Sequence, residues 1–99
     1  VLSYVKPCAS NACLVNADLW ITNFKGANLY GVNLQSAYLK GACFANVNLE
    51  GANLKGVRNL AEVSNLGKAH FLETRVTSKE RKIIEEALKK INYFIEEDN

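Results

Sequence analysis

The stretch GANLYGVNLQSAYLKGACF, residues 26–44, carries a large apolar residue at every fifth position. The same spacing extends over nine consecutive five-residue units between residues 12 and 56. Their central residues are Leu14, Leu19, Phe24, Leu29, Leu34, Leu39, Phe44, Leu49 and Leu54. Two positions before each central residue stands a small residue, usually Ala or Val, and Asn or Asp often lies between the two. The last position of the unit is often Gly, so the chain contains an internal repeat of five residues.

A five-residue period fits neither an α-helix nor a flat strand. Five helical residues turn through about 500°, so the central residues would spiral around the helix without forming an apolar stripe. In a flat strand an odd period would place successive central residues on opposite faces. Short extended pieces that turn after every unit resolve both conflicts, because the Gly, Asn and Ser at the unit ends favour turns. The repeat therefore predicts a solenoid whose interior is filled by the central residues and the small residues beside them.

Units such as ADLWI, GANLYG, GVNLQS and GANLKG resemble the pentapeptide-repeat family, whose pattern is A-(D/N)-L-x-x. The resemblance extends over about residues 7–60. It implies an all-β solenoid, a right-handed quadrilateral β-helix with four units in each coil of 20 residues, here about two and a half coils. Residues 20 apart would then be vertical neighbours, about 4.8 Å apart as in any ladder of strands. Phe24 would thus lie below Phe44, and Asn28 below Asn48.

The repeat pattern ends near residue 60, and the remaining sequence predicts a helical cap on the open end of the coil. We therefore divide one domain into a repeat segment, residues 1–60, and a C-terminal cap, residues 61–99. Thr77 and Glu80 have the spacing of a capping box at the start of a helix. Apolar residues then recur at three- and four-residue steps, at Ile83, Ile84, Ala87, Leu88, Ile91, Phe94 and Ile95. This stripe either covers the coil end or docks a partner helix, and a homodimer through the helix or the coil end is an alternative.

The composition argues against two classes of partner. The net charge is +2 with 22% charged residues, a smaller surplus than the concentrated basic stripe of a nucleic-acid-binding protein. The basic residues of the repeats, Lys25, Lys40, Lys55 and Arg58, would also be distributed over at least three faces. The sequence contains no run of 18 apolar residues, so we expect no membrane span.

The three cysteines, Cys8, Cys13 and Cys43, lack the spacing of a metal site, and we expect neither a metal nor a cofactor. Free thiols are favoured, with a disulfide between Cys8 and Cys13 as the alternative. Unpaired thiols favour a reducing, cytoplasmic compartment. The first residue is Val1 rather than Met, which leaves a processed or exported form open.

No combination of residues predicts an active site. His70 is the only histidine and stands between Ala69 and Phe71, where we expect a partly buried packing role. The glycine spacing of the repeats lacks the Lys-Ser/Thr that completes a phosphate-binding loop. Paired carboxylates are absent from the repeat units, which hold only Asp18 and Glu50. We therefore expect a protein that is not an enzyme and takes no small-molecule substrate.

Outward-facing side chains are the remaining candidates for function. With four units in a coil, Trp20 and Lys40 share one column, and Asp18, Tyr38 and Arg58 share another. A surface cluster of Trp, Tyr and Arg has the composition of a binding hot spot. We therefore predict a non-catalytic scaffold or protein-protein interaction module whose partner contacts Trp20, Tyr38, Lys40 and Arg58. Trp20 has a second interpretation, in which it covers the N-terminal coil or contacts a further part of a longer protein.

The family resemblance implies an alternative function, a DNA-mimicking binder of a type II topoisomerase (gyrase) of the quinolone-resistance type. Mimicry of DNA requires a strongly acidic rod that is long enough to occupy a DNA site. The repeat units of this chain have a net positive charge and form few coils. Charge and length therefore disfavour the alternative.

Overall fold

The computed structural model describes the backbone of residues 12–97 and the side chains of residues 12–90. Within this range, single-residue parallel bridges join positions 20 apart along most of the repeats. They pair Cys13 with Asn33, Asp18 with Tyr38, Asn23 with Cys43, Asn28 with Asn48, Asn33 with Asn53, and Tyr38 with Arg58. The described residues contain no extended strand, since the chain turns after each short bridged piece. The repeats therefore form a solenoid whose turns are connected by isolated bridges.

Four bridged positions occur in each turn of the chain, and we name four faces by these residues. Face 1 carries Cys13, Asn33, Asn53 and Arg75; face 2 carries Asp18, Tyr38 and Arg58; face 3 carries Asn23, Cys43 and Ser64; face 4 carries Asn28, Asn48 and His70. In the regular repeat units, the residues directly before and after each bridged residue point inward, as the alternation of an extended segment requires. Each face thus presents one outward side chain in every turn.

The central residues of the units fill the interior. Eight of the nine are fully buried, and Leu14, in the first turn, is half-buried. Phe24 and Phe44 are neighbours in consecutive turns of face 3, with ring centroids 5.6 Å apart and planes at 81°. The two rings therefore meet edge to face, one of the favoured arrangements of aromatic pairs, rather than lying parallel.

Asn and Gly form the corners between faces. A backbone hydrogen bond closes each corner, as from the N–H of Ala17 to the carbonyl of Leu14 at 3.1 Å. The residue at the unit end has a positive φ, which Gly adopts without steric cost and Asn at low cost. The outward Asn supports the same corner, because its Oδ1 accepts the N–H two residues on, as from Lys25 to Asn23 at 3.0 Å.

The third turn of the solenoid is two residues longer than the turns before it. Its bridges pair Cys43 with Ser64, Asn48 with His70, and Asn53 with Arg75. The additional residues are Asn59 and Asn65, which have φ values of 64° and 57° and precede two 3-10 turns, Leu60–Glu62 and Leu66–Lys68. Because Asn59 is accommodated in the left-handed region, Leu60 takes the inward position and is only 2% exposed.

The bridges consequently continue past residue 60, where the sequence placed the end of the repeats. They reach Arg75, so three turns are present where the sequence predicted about two and a half. The division of the chain into segments at residue 60 stays a prediction.

One helix, α1, extends over Ser78–Glu97 and packs against both 3-10 turns. Ile84 is buried in the core, Ile83 and Ala87 are half-buried against it, and Leu88 is 38% exposed. The apolar stripe predicted for this helix therefore contacts the coil along its first half. The remaining members of the predicted stripe, Ile91, Phe94 and Ile95, lie outside the described side chains.

Glu80 connects α1 to the last regular corner of the coil. Its Oε1 accepts the N–H of Thr77 at 2.7 Å and the hydroxyl of Thr77 at 2.6 Å. The N–H of Gly56 also donates to this carboxylate. At the same corner one turn lower, the N–H of Ser36 donates instead to the carbonyl of Lys55 at 3.0 Å. The Glu80 carboxylate thus takes the place of a carbonyl that a further turn of the solenoid would supply.

Candidate functional site

Face 2 brings together three of the side chains that the sequence singled out. Asp18, Tyr38 and Arg58 follow one another in a single column of bridges. The guanidinium of Arg58 lies 5.3 Å from the centroid of the Tyr38 ring, and its Nε donates to the carbonyl of Ser36 at 3.3 Å. A cation over an aromatic face contributes about 0.5–1 kcal/mol at an exposed site. Tyr38 and Ser36 therefore favour one orientation of the exposed Arg58 side chain, over the Tyr38 ring.

Trp20 and Lys40 lie at the corner that follows face 2, one turn apart. Trp20 is 45% exposed, and its backbone N–H donates to Oδ1 of Asp18 at 3.3 Å. The next residue, Ile21, donates its N–H to the carbonyl of Lys40 at 2.9 Å, which places the two turns of this corner directly above one another. The structure thus groups the four predicted residues on face 2 and its adjoining corner. Their contact with a partner stays a prediction.

Ile21 is an exposed apolar neighbour of Trp20 that the repeat pattern does not mark as a binding residue. It has a φ of 58° and is 55% exposed. A β-branched residue in the left-handed region is strained. Gly41 lies above it, where an added Cβ would come within 3.2 Å of Cγ1 of Ile21. The sequence by itself marks this corner as unusual, because Ile21 stands at a unit end where the other units have Gly, Asn or Ser.

The basic residues of the repeats form no continuous stripe. Lys25, Lys40 and Lys55 lie at three different corners, and Arg58 lies on face 2. Residues 12–76 hold six basic and four acidic side chains, so their positive surplus is small. A duplex nucleic acid that contacts one side of the solenoid would therefore meet few of these charges.

The thiol of Cys43 lies on face 3 in a polar environment. A hydrogen bond from the N–H of Ala45 is the strongest influence on its pKa and lowers it below the ordinary 9.0, against the opposing effect of burial. The side chains of Ser64 and Asn65 and the charge of Lys25 lower the pKa further. Cys43 therefore has a larger thiolate fraction at neutral pH than an ordinary thiol.

Other candidates for chemistry are dispersed. Cys13 and Cys43 are free thiols, whereas Cys8 lies outside the described residues. No group of three or more His, Cys, Asp or Glu side chains in the described part of the chain could hold a metal ion. The packing role expected for His70 is wrong, because His70 takes the outward, bridged position of face 4 and its side chain is exposed. The neighbours of His70, rather than His70 itself, pack against the core.

The only helix of eight or more residues in the described range is α1, and it lacks the apolar length that a membrane crossing requires.

Comparison with known proteins agrees with the repeat observed in the bridges. A sequence model described as pentapeptide repeats matches residues 22–56 in eight copies. The search of curated proteins gives no match. Proteins with these repeats are generally non-catalytic and are typically structural or interaction modules. Residues 22–56 of the chain are therefore pentapeptide repeats.

Proposed function

We propose that this chain is a non-catalytic protein-protein interaction module that presents face 2 and the adjoining corner to a protein partner. The observation that carries the proposal is the Arg58–Tyr38 pair on face 2, with the exposed Trp20 at the adjoining corner. Trp, Tyr and Arg are the residue types that dominate binding energy at protein interfaces. Lys40 would add a positive charge at the edge of this cluster.

The backbone of face 2 supports the proposal because it is held on both sides. The N–H of Tyr38 donates to the carbonyl of Ala17 at 2.9 Å, and the N–H of Leu39 donates to the carbonyl of Arg58 at 3.0 Å. Ordering a long side chain on binding costs about 0.5–1.5 kcal/mol. The contacts of Arg58 with Tyr38 and Ser36 lower this cost, since they order the guanidinium before a partner binds.

For the scaffold we propose the finer architecture that the family resemblance implies, a right-handed quadrilateral β-helix with α1 as its C-terminal cap. Four bridged positions in each turn support the quadrilateral form. The hydrogen bond from Gly56 to Glu80 and the burial of Ile84 support the role of α1 as a cap. Such a cap protects backbone groups and core side chains that the last turn would otherwise expose.

DNA mimicry is less consistent with the charge and length of the solenoid. Duplex DNA carries one negative charge per about 1.7 Å, whereas residues 12–76 have more basic than acidic side chains. Three turns with a spacing of about 4.8 Å rise about 14 Å, which equals about four base pairs. We therefore expect the chain to leave DNA supercoiling by gyrase unchanged, and inhibition would favour the alternative function.

The proposal is tested by quantitative capture of partner proteins on the immobilised chain. The test variants are Trp20→Ala and Arg58→Ala, and the controls are Lys25→Ala and Lys55→Ala at other corners. Circular dichroism and the melting temperature first establish that each variant is folded. We expect both test variants to lose a shared set of proteins that the controls retain. If both test variants retain the full set, face 2 is not the binding surface.

A further inference from the structure

A groove lies between α1 and the two 3-10 turns of the third turn. Its volume is about 570 Å³, and its floor consists of Val63 and Leu66 from the coil and Ile83 and Ala87 from the helix. Val63 and Leu66 are 7% and 5% exposed, and the two helix residues are half-buried. The floor is therefore apolar, and its accessible part belongs mainly to Ile83 and Ala87.

Three lysines border this floor from both walls. Lys68 belongs to the coil, and Lys82 and Lys90 belong to α1. All three side chains are exposed, and no described residue forms a hydrogen bond or ion pair with their ammonium groups. Glu86 is the one acidic residue in the lining, so positive charge predominates. We name this surface the lysine groove.

The spacing of the lysines indicates the kind of ligand that fits. Lys82 and Lys90 are eight residues apart on one helix, so their Cα atoms are separated by about 12 Å along its axis. Two anionic groups about 12 Å apart can pair with one ammonium group each, whereas a single carboxylate or phosphate would require both lysine side chains to converge on it. Carboxylates three to four residues apart on an extended peptide span about 12 Å. A peptide with several acidic side chains therefore matches the lysine groove better than a small anion.

We propose that the lysine groove binds an acidic amphipathic peptide segment of a protein partner. Apolar side chains of the segment contact mainly Ile83 and Ala87, beside the more buried Val63 and Leu66, and its carboxylates pair with the lysines on both walls. Exposed ion pairs contribute little affinity individually, so apolar contact supplies most of the binding and the lysines select an acidic sequence. This surface is separate from face 2 and does not depend on the function proposed for it.

An unbiased selection tests the proposal without a known partner. A phage library of random dodecamer peptides is selected on the wild-type chain, and fluorescence anisotropy then measures the affinity of the enriched peptides. We expect enriched peptides to combine at least two Asp or Glu residues, about three to four positions apart, with apolar residues between them.

The matched variants remove the same charge from two different places. The Lys68→Gln/Lys82→Gln/Lys90→Gln variant should bind the enriched peptides about fivefold to a hundredfold more weakly. The Lys25→Gln/Lys55→Gln/Arg75→Gln control variant, whose side chains lie outside both the lysine groove and face 2, should stay within about twofold of the wild type. A melting curve of each variant establishes that it is folded.

Several outcomes would overturn the proposal. These are a failed enrichment, enriched peptides without acidic residues, or equal weakening of peptide binding by the groove variant and the control variant. Displacement of the peptide by comparable concentrations of laurate would show that the groove takes a small amphiphile instead. Light scattering that finds a dimer dissociated by the groove variant alone would show that a second copy occupies the groove. None of these outcomes bears on Trp20 or Arg58, so the test separates the lysine groove from face 2.

Discussion

The Glu80→Gln substitution removes the charge of one buried carboxylate at the junction of α1 and the coil. Glu80 is 2% exposed and accepts hydrogen bonds from the N–H and the hydroxyl of Thr77 and from the N–H of Gly56. Glutamine has almost the same shape, but its carbonyl is a weaker acceptor and its amide group brings two donors. The substitution therefore weakens the junction without leaving a cavity.

The size of the stability loss in Glu80→Gln follows from these three hydrogen bonds. A hydrogen bond to a charged group contributes about 1.5–3 kcal/mol, and one between neutral groups contributes about 0.5–1.5 kcal/mol. Weakening three bonds therefore costs about 3 kcal/mol. The lower desolvation cost of a neutral amide offsets part of this loss. We expect the free energy of unfolding to fall by about 2 kcal/mol, equal to about 8–16 °C in melting temperature for a domain of this size.

The effect depends on pH through the ionisation of Glu80. Burial alone raises its pKa, but the hydrogen bonds from Thr77 and Gly56 and the charge of Lys79 outweigh burial, so its pKa in the folded chain lies below the ordinary 4.5. A carboxyl group with a lowered folded pKa stabilises the fold fully above its unfolded pKa, and this contribution is lost as the pH falls through the folded pKa. The melting temperatures of wild type and variant should therefore converge as the solution is acidified below about pH 4.5.

Thermal unfolding followed by circular dichroism at neutral and acidic pH measures both effects. Glu85→Gln is the matched control, because Glu85 is exposed on the same helix and takes no part in the junction. A neutral-pH melting temperature within about 2 °C of the wild type would refute the view that Glu80 replaces the carbonyl of a further turn. A gap between the two melting temperatures that persists at low pH would refute the ionisation argument.

Three further predictions concern the corners, the core and the thiol of face 3. Gly41→Ala should lower the free energy of unfolding in urea more than Gly26→Ala does. Both glycines have a positive φ, but of the two only an added Cβ at position 41 approaches another side chain, at 3.2 Å from Cγ1 of Ile21. Left-handed strain alone costs about 1–2 kcal/mol, and equal losses would contradict the vertical contact at this corner. Phe44→Ala should lower the free energy of unfolding by about 3–5 kcal/mol in the same assay, because the ring is fully buried. A loss below about 1 kcal/mol would mean that the core closes around the gap. The rate of Cys43 alkylation by iodoacetamide, followed by peptide mapping, should rise with pH with a midpoint below 9.0. A midpoint at or above that value would contradict the hydrogen bonds assigned to the Cys43 sulfur.

Counting along the sequence was sufficient for the repeats but not for the third turn. The chain contains Val57-Arg58-Asn59-Leu60 and Val63-Ser64-Asn65-Leu66, two units that are each lengthened by one Asn. A strict five-residue count ends at the first of them. The structure keeps the ladder intact, as the hydrogen bond from the N–H of Ser64 to the carbonyl of Ala42 at 2.8 Å shows. Pairing with the turn below, rather than local sequence, decides that the solenoid continues.

The candidate site was only partly accessible to sequence reasoning. A coil of 20 residues is enough to place Tyr38 and Arg58 in one column, and the structure adds the cation–π geometry between them. The strain at Ile21 could have been expected from a β-branched residue at a corner position. The lysine groove could not have been expected from the sequence, because it forms between residues of the third turn and residues of α1 that are distant in sequence.

The sequence by itself determined the five-residue period, the inward and outward positions of the regular units, and the presence of a C-terminal helix. It could do so because each unit of a solenoid contacts mainly its neighbours, so a local pattern repeated many times carries the information. Tertiary structure alone decided where the ladder ends, which carboxylate accepts the N–H of Gly56, and how much of the apolar stripe of α1 is buried. These features depend on how α1 packs against one end of the coil. This contact occurs once, so no repeated sequence pattern predicts it.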